Sequence, residues 1–150
     1  MLDLSESRAQ IDVIDKEITR LFQKRIDVCR DVAAYKIQNN KKVLDKTREN
    51  QKLEALSKLA EDGFKEHGIC DLFTQVMAIC RKRQYQIMKE EGCGLDCATK
   101  VELMMAKACG FTGHDVMFSS NVTPANEYAY AKDMGVIINF DDITHLKYFE

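Results

Sequence analysis

The sequence predicts a mainly α-helical protein with a small α/β segment at its C-terminal end. Residues 1–90 contain no proline and only two glycines, Gly63 and Gly68, whereas residues 91–150 hold the other five glycines and the only proline, Pro124. Apolar residues in the first part recur every three or four positions, which is typical of one face of a helix. The second part alternates short apolar runs with turn residues. We therefore expect two domains, residues 1–90 and 91–150.

The first predicted helix runs from about Leu4 to Gln38, with its apolar positions at Ile11, Ile14, Ile18, Leu21, Phe22, Val28, Cys29 and Val32. At ~1.5 Å per residue, such a helix spans about 50 Å. Two short helices of the same chain cannot cover that length. Pairing with a second copy of the chain is the economical solution, and we expect a homodimer.

Turn residues and changes in the spacing of apolar residues predict the remaining helices and strands. A polar stretch over residues 38–42 ends the first helix, and Gly63–Gly68 predicts a turn between a second and a third helix. Beyond residue 91, helices and strands alternate, which predicts β/α units. The predicted elements are helices over Asp45–Glu61, Cys70–Lys89, Val101–Cys109 and Pro124–Met134, and strands over Asp115–Ser119 and Val136–Phe140.

The net charge and composition of the sequence argue against several classes of binding partner. A net charge of -2 gives no electrostatic reason to expect nucleic acid or an anionic membrane. No apolar run approaches the roughly 18 residues of a membrane span, and the N-terminal residues lack the pattern of a signal peptide. We expect a cytoplasmic protein. The six cysteines are scattered, which favours reduced thiols, and the set Cys93, Cys97, Cys109 and His114 fits no common zinc pattern, so we expect no metal site.

Charged and polar side chains fall at helical spacings on all three predicted helices. Arg25 and Lys36 are eleven positions apart and return to within about 20° of one face, whereas Arg8 lies about 100° away and points more readily into the site of a partner chain. The remaining members are Asp45, Arg48 and Glu49 on one face of the second helix, and Cys80 and Gln84 on one face of the third. The alternative interpretation is a solvated surface with ion pairs. A helical bundle that brought the three clusters together would instead form a site.

Four segments carry a specific resemblance. They are Ser7–Asp15, with an arginine followed by Ile-Asp and a further Asp; Arg25 with Val32–Lys36; Val43–Glu49, a Val-x-Asp-x-x-Arg-Glu motif; and Phe73 followed by Cys80–Gln84. In order and spacing they resemble the AroQ class of chorismate mutases over nearly all of residues 1–90. Two positions depart from that class: Lys42 stands where proline is frequent, and Cys80 replaces the common serine.

The resemblance implies a three-helix protomer in an intertwined homodimer, with chorismate as substrate and no cofactor. It implies an isomerase that rearranges chorismate to prephenate in aromatic amino acid biosynthesis. Arg25 and the partner's Arg8 would clamp the carboxylates, and Lys36 and Gln84 would donate to the ether oxygen. Glu49, with Asp45 nearby, would hold the ring hydroxyl, and Arg48 and Cys80 would complete the ring-carboxylate end. Two alternatives stay open: an isochorismate pyruvate lyase, and a regulatory domain that senses chorismate or prephenate.

The second part has a resemblance of its own. Its segments Gly94–Thr99, Glu102–Leu103, Phe118–Asn121 and Ile137–Asp141 are similar to the early barrel strands of fold-type III pyridoxal-phosphate-dependent decarboxylases, such as diaminopimelate decarboxylase. Only about two of eight β/α units are covered, and a closed barrel needs about 250 residues. The strand with the Schiff-base lysine and the later phosphate-binding glycines are missing from the resemblance, so we expect neither decarboxylase activity nor cofactor binding. A truncated fusion, a chimera and a remodelled accessory layer all remain open for this segment.

Overall fold

The computed structural model describes residues 4–121 and 123–148, which form two compact units divided between Gln84 and Tyr85. The helices are α1 Leu4–Gln38, α2 Lys46–Ser57, α3 Gly63–Glu90, α4 Lys100–Ala108 and α5 Ala125–Asp133; the strands are β1 Leu95–Cys97, β2 Val116–Phe118 and β3 Ile137–Ile138; short 3-10 helices cover Gly113–Asp115 and Ile143–Tyr148. The predicted mainly α-helical fold with a small α/β segment is therefore confirmed.

In the first unit, the two halves of α1 differ in how well they are covered. Cys29 and Ala33, in the C-terminal half, are buried. The apolar side chains of the N-terminal half are about half exposed within the single chain, with Ile11 at 55% and Ile14 at 57%. A helix of 35 residues is about 52 Å long, and only its C-terminal part is covered by the chain itself.

The start of helix α2 is stabilised by a side-chain N-cap. The carboxylate of Asp45 accepts a hydrogen bond from the backbone N–H of Arg48 at 2.9 Å, which satisfies one of the unpaired donors of the first turn. The predicted start is within one residue of the observed start at Lys46, whereas the helix ends at Ser57 rather than at the predicted Glu61.

The predicted turn over Gly63–Gly68 is wrong, because α3 already begins at Gly63. Glycine weakens a helix by about 1 kcal/mol relative to alanine. Here the carboxylate of Asp62 accepts from the N–H of Lys65 at 2.8 Å and caps the first turn. The cap and the apolar positions that follow outweigh the two glycines.

The second unit is built on a parallel sheet with strand order β1-β2-β3. Leu95 pairs with Val116, and Met117 pairs with Ile137. Helix α4 starts with a reciprocal cap between Thr99 and Glu102. The core of this unit consists of large apolar side chains from the sheet and both helices, chiefly Leu103, Phe111, Val116, Phe118 and Tyr128. Strands β2 and β3 fall within the predicted strands but are shorter, because pairing between them extends over only two or three residues, and β1 was not among the predicted elements.

Candidate active site

A cleft of about 210 Å³ lies among the three helices of the first unit. Its lining residues come from α1, α2, α3 and the connection between α1 and α2: Arg25, Lys36, Val43, Asp45, Arg48, Glu49, Lys52, Met77, Cys80, Arg81 and Gln84. Seven of the eight sequence-predicted site residues are in this set. These side chains line one concavity, which favours a site over a purely solvated surface.

Lys36 and Gln84 meet inside the cleft. Lys36, in the last turn of α1, donates from Nζ to Gln84 Oε1 at 3.0 Å and to the backbone carbonyl of Val43 at 2.6 Å. Gln84 is buried, and its Nε2 donates to the carbonyl of Cys80 at 3.4 Å. An ammonium group has three donors. Two are occupied by these acceptors, so the third remains available to a ligand.

Arg25 lies above two buried thiols. Its guanidinium donates to Cys80 Sγ, and its backbone carbonyl accepts from Cys29 Sγ at 3.5 Å. Burial, followed by the neighbouring Cys80, raises the pKa of Cys29 to about 11. Cys29 is therefore a neutral thiol at neutral pH and behaves as packing beneath the cleft.

The α2 face supplies both carboxylates. Asp45 caps the helix while also lining the cleft, and Arg48 lines it with an exposed side chain. Glu49 is engaged across the cleft by Arg81 of α3, whose Nη1 lies 2.5 Å from both Oε1 and Oε2. A carboxylate held in this way still has free lone pairs on both oxygens.

The electrostatics of the cleft favour an anionic ligand. Five basic and two acidic side chains line it. Burial lowers the pKa of Lys36, while Asp45 and Glu49 oppose that shift by attracting its positive charge. Guanidinium groups match carboxylates with a planar set of donors. A small molecule with two carboxylates fits this arrangement of charge.

Arg8 is the one predicted residue that the described chain does not bring to the cleft. It is exposed on the N-terminal half of α1, seventeen positions before Arg25. At ~1.5 Å per residue, the two positions are about 25 Å apart along the helix. An arginine side chain is far too short to cover that distance, so Arg8 contributes nothing to the cleft of its own chain.

Residues 7–85, more than half of the chain, match the family model of chorismate mutase type II. The chain belongs to the type II chorismate mutase family. The chorismate mutase family is a family of isomerases, and the matched residues include every side chain that lines the cleft. The AroQ resemblance is therefore confirmed.

A second family model, the pyridoxal-dependent decarboxylase, pyridoxal binding domain, matches residues 75–150, so this segment belongs to that family. Among curated proteins, the chain is 43% identical over 61 residues to Protein TabA of Pseudomonas amygdali pv. tabaci, and 32% identical over 65 residues to a diaminopimelate decarboxylase of Thermoplasma acidophilum. These matches cover 41% and 43% of the chain but only 14% and 16% of the relatives. The decarboxylase resemblance is confirmed as a partial one.

The described lysines of the second unit lie outside its sheet. The three described strands contain no lysine that could form a Schiff base with pyridoxal phosphate. Lys89 is engaged by Asp115 and by the carbonyl of Gly110, and Lys100 lies over the ring of Tyr130.

Among residues 4–121 and 123–148, no group of three or more His, Cys, Asp or Glu side chains is arranged to hold a metal ion. No helix in that part of the chain is long and apolar enough to cross a membrane.

The sequence interpretation missed three participants in the cleft. Arg81 is the partner of Glu49, Lys52 adds a cation one turn beyond Arg48, and the carbonyl of Val43 accepts from Lys36. The spacing of Arg48 and Lys52 is a signal that identifies Lys52, because positions i and i+4 share a helix face. Arg81 directly follows Cys80, and its direction across the cleft follows only from the packing of α2 against α3. The backbone acceptor has no sequence signal.

Proposed function

We propose that this chain catalyses the rearrangement of chorismate to prephenate, a step of aromatic amino acid biosynthesis. The observation that carries the proposal is the meeting of Lys36 Nζ and Gln84 in a cationic cleft that also contains Arg25 and Glu49. The reaction is a one-step pericyclic shift that needs no nucleophile, metal or proton transfer. The protein has to select the compact conformer and stabilise the negative charge that develops on the ether oxygen.

Each side chain of the cleft has a role in this proposal. Arg25 binds a substrate carboxylate, and Arg48 and Cys80 complete the ring-carboxylate end. Lys36 offers its third N–H to the ether oxygen, and the amide of Gln84 donates beside it. Glu49, with Asp45, accepts from the ring hydroxyl. Because the ether-oxygen donors act most strongly in the transition state, they contribute more to kcat than to KM.

The proposed functional unit is an intertwined homodimer in which the partner's Arg8 enters each cleft. Two features of α1 support it. Its N-terminal half leaves a row of apolar side chains about half exposed, and Arg8 is about 25 Å along the helix from Arg25. A second copy packed against this half would bury the apolar row and supply the missing cation. In this assembly residues 1–90 form the catalytic domain, and residues 91–150 form a separate domain that takes no part in the reaction.

Subunit mixing tests the shared site. Arg8→Ala and Lys36→Ala proteins are each expected to be inactive, because each lacks one cation in every cleft. When the two are unfolded together and refolded, half of the clefts in a mixed dimer have both cations, and partial activity should return. No recovery, with mixed dimers present by mass spectrometry, would contradict the shared site.

Turnover of two substrates tests the reaction. The purified chain is expected to convert chorismate to prephenate at least tenfold faster than it releases pyruvate from isochorismate. The complete Asp45, Arg48 and Glu49 set favours the mutase over the lyase, with Asp45 and Glu49 as acceptors for the ring hydroxyl and Arg48 as a donor to the ring carboxylate. Faster turnover of isochorismate would replace the proposal with the lyase.

A further inference from the structure

The ion pair between Arg81 and Glu49 differs from the other charge pairs of the first unit. It joins α2 to α3 across 32 positions of sequence, and the side chains are 28% and 24% exposed. The pairs Glu17–Arg20 and Glu54–Lys58, in contrast, join residues three or four positions apart and are more than half exposed. Exposed pairs of that kind contribute little. The Arg81–Glu49 pair lies inside the cleft and fixes the position of a charged ligand-binding group.

The contact geometry leaves Glu49 able to bind a ligand. A single nitrogen, Arg81 Nη1, contacts both carboxylate oxygens at 2.5 Å. An ionised carboxylate has about four lone-pair sites, so about two remain for another donor. Arg81 thus holds the Glu49 carboxylate on one side and leaves its other side open to a ligand.

Glu49 also has a competing cation. Lys36 is within electrostatic range of both Glu49 and Asp45, yet its ammonium group bonds to Gln84 and to the Val43 carbonyl. A carboxylate without Arg81 is free to turn toward Lys36. That movement would remove the acceptor from its place opposite the ring hydroxyl.

We propose that Arg81 is a positioning residue that holds Glu49 where it accepts a hydrogen bond from the ring hydroxyl of the substrate, and that Arg81 thereby determines selectivity for the hydroxylated substrate. This inference rests on the proposed function, since it takes its substrate from there. The hydrogen bonds described for the Arg81 side chain go to Glu49, so its proposed effect on the reaction passes through that carboxylate.

The test compares chorismate with an analogue that has hydrogen in place of the ring hydroxyl. Arg81→Met is expected to lower kcat/KM for chorismate about tenfold, mainly by raising KM, because a hydrogen bond made in both the ground state and the transition state is weakened. On the analogue the same change is expected to cost less than twofold. Lys82→Met, which removes an exposed cation from the next position of α3, is the matched control and should leave both substrates unaffected.

Two further variants separate positioning from general damage. Because one nitrogen makes both contacts, Arg81→Lys is expected to recover part of the lost activity on chorismate, and it preserves the charge if Arg81→Met fails to fold. In a Glu49→Gln background, Arg81→Met should cause no further loss on chorismate. Equal losses on both substrates, or an additional loss in that background, would show that Arg81 acts otherwise than through Glu49.

The outcomes also separate this inference from the proposed function. If the unmodified chain consumes chorismate and Glu49→Gln is impaired, but Arg81→Met behaves like Lys82→Met, then only the role of Arg81 is wrong. If the unmodified chain does not consume chorismate, the proposed function itself is wrong.

Discussion

Replacing Lys36 with methionine removes the ammonium group while keeping most of the side-chain volume. The structure indicates that this lysine is held in place, since its Nζ donates to Gln84 Oε1 at 3.0 Å and to the Val43 carbonyl at 2.6 Å. Its remaining donor is proposed to meet the ether oxygen as charge develops there. Losing one such preorganised donor typically costs about 10²–10³-fold in kcat, or about 2.7–4 kcal/mol.

The same change should have a moderate effect on stability, which is measured beside the kinetics by urea unfolding. Burial lowers the pKa of Lys36, so the charged group is held at a cost in the folded state. Removing it relieves that cost but takes away the hydrogen bond that the buried Gln84 accepts at Oε1. We expect the free energy of unfolding to fall by about 1–3 kcal/mol, the cost of one unsatisfied buried acceptor.

Steady-state kinetics on chorismate provide the assay. Lys36→Met should lower kcat by at least about 10²-fold while changing KM by less than about threefold. Lys58→Met is the matched control, because Lys58 forms only an exposed pair with Glu54 outside the cleft. A Lys36→Met protein with normal kcat, or one in which only KM rises, would refute the role assigned to this lysine.

Three further predictions concern pH, the thiol of the cleft and the second unit. Catalysis needs protonated Lys36, and burial lowers the pKa of this lysine from its ordinary value of 10.5. We therefore expect kcat to fall as the pH rises through a value below 10.5. A pH–rate profile that is flat up to pH 10.5 would contradict this prediction. Cys80→Ser places a hydroxyl beside Arg25, and a hydroxyl forms stronger hydrogen bonds than a thiol. This change should lower KM for chorismate about two- to fivefold. An increase in KM would argue against a substrate-binding role for this position. Thr99→Ala removes one half of the reciprocal cap of α4 and should destabilise the second unit by about 1 kcal/mol in urea unfolding. Thr112→Ala, at a position with no side-chain cap, is the control and should have almost no effect. Equal effects of the two changes would contradict the capping role of Thr99.

The boundaries of the helices and strands were predictable where the apolar period and the turn residues indicate the same boundary. Helix α1 has the predicted bounds, Leu4–Gln38, because nothing in its sequence interrupts the apolar period. The start of α3 was not predictable from the glycines, since the cap by Asp62 decides it. The strands β2 and β3 were located but predicted too long: β3 because the apolar residues Val136 and Phe140 flank it, and β2 by one polar residue at each end.

The composition of the cleft was predictable for a similar reason. Residues such as Arg25 and Lys36 lie at spacings that put them on one helix face, and the motifs of a known family assign the neighbouring positions. The direction of Arg81 across the cleft depends on how α2 and α3 pack, and helix periodicity contains no information on that. The N-terminal half of α1, with Arg8, is unexplained by the single chain and is the reason for proposing a dimer.

The most direct test of the account is the progress of chorismate absorbance after addition of the purified chain, with prephenate measured in the same samples. We expect loss of the chorismate band, formation of an equal amount of prephenate, and a strongly reduced rate in the Lys36→Met protein. Binding of chorismate without its consumption would contradict the account and would identify the domain as a sensor of its ligand.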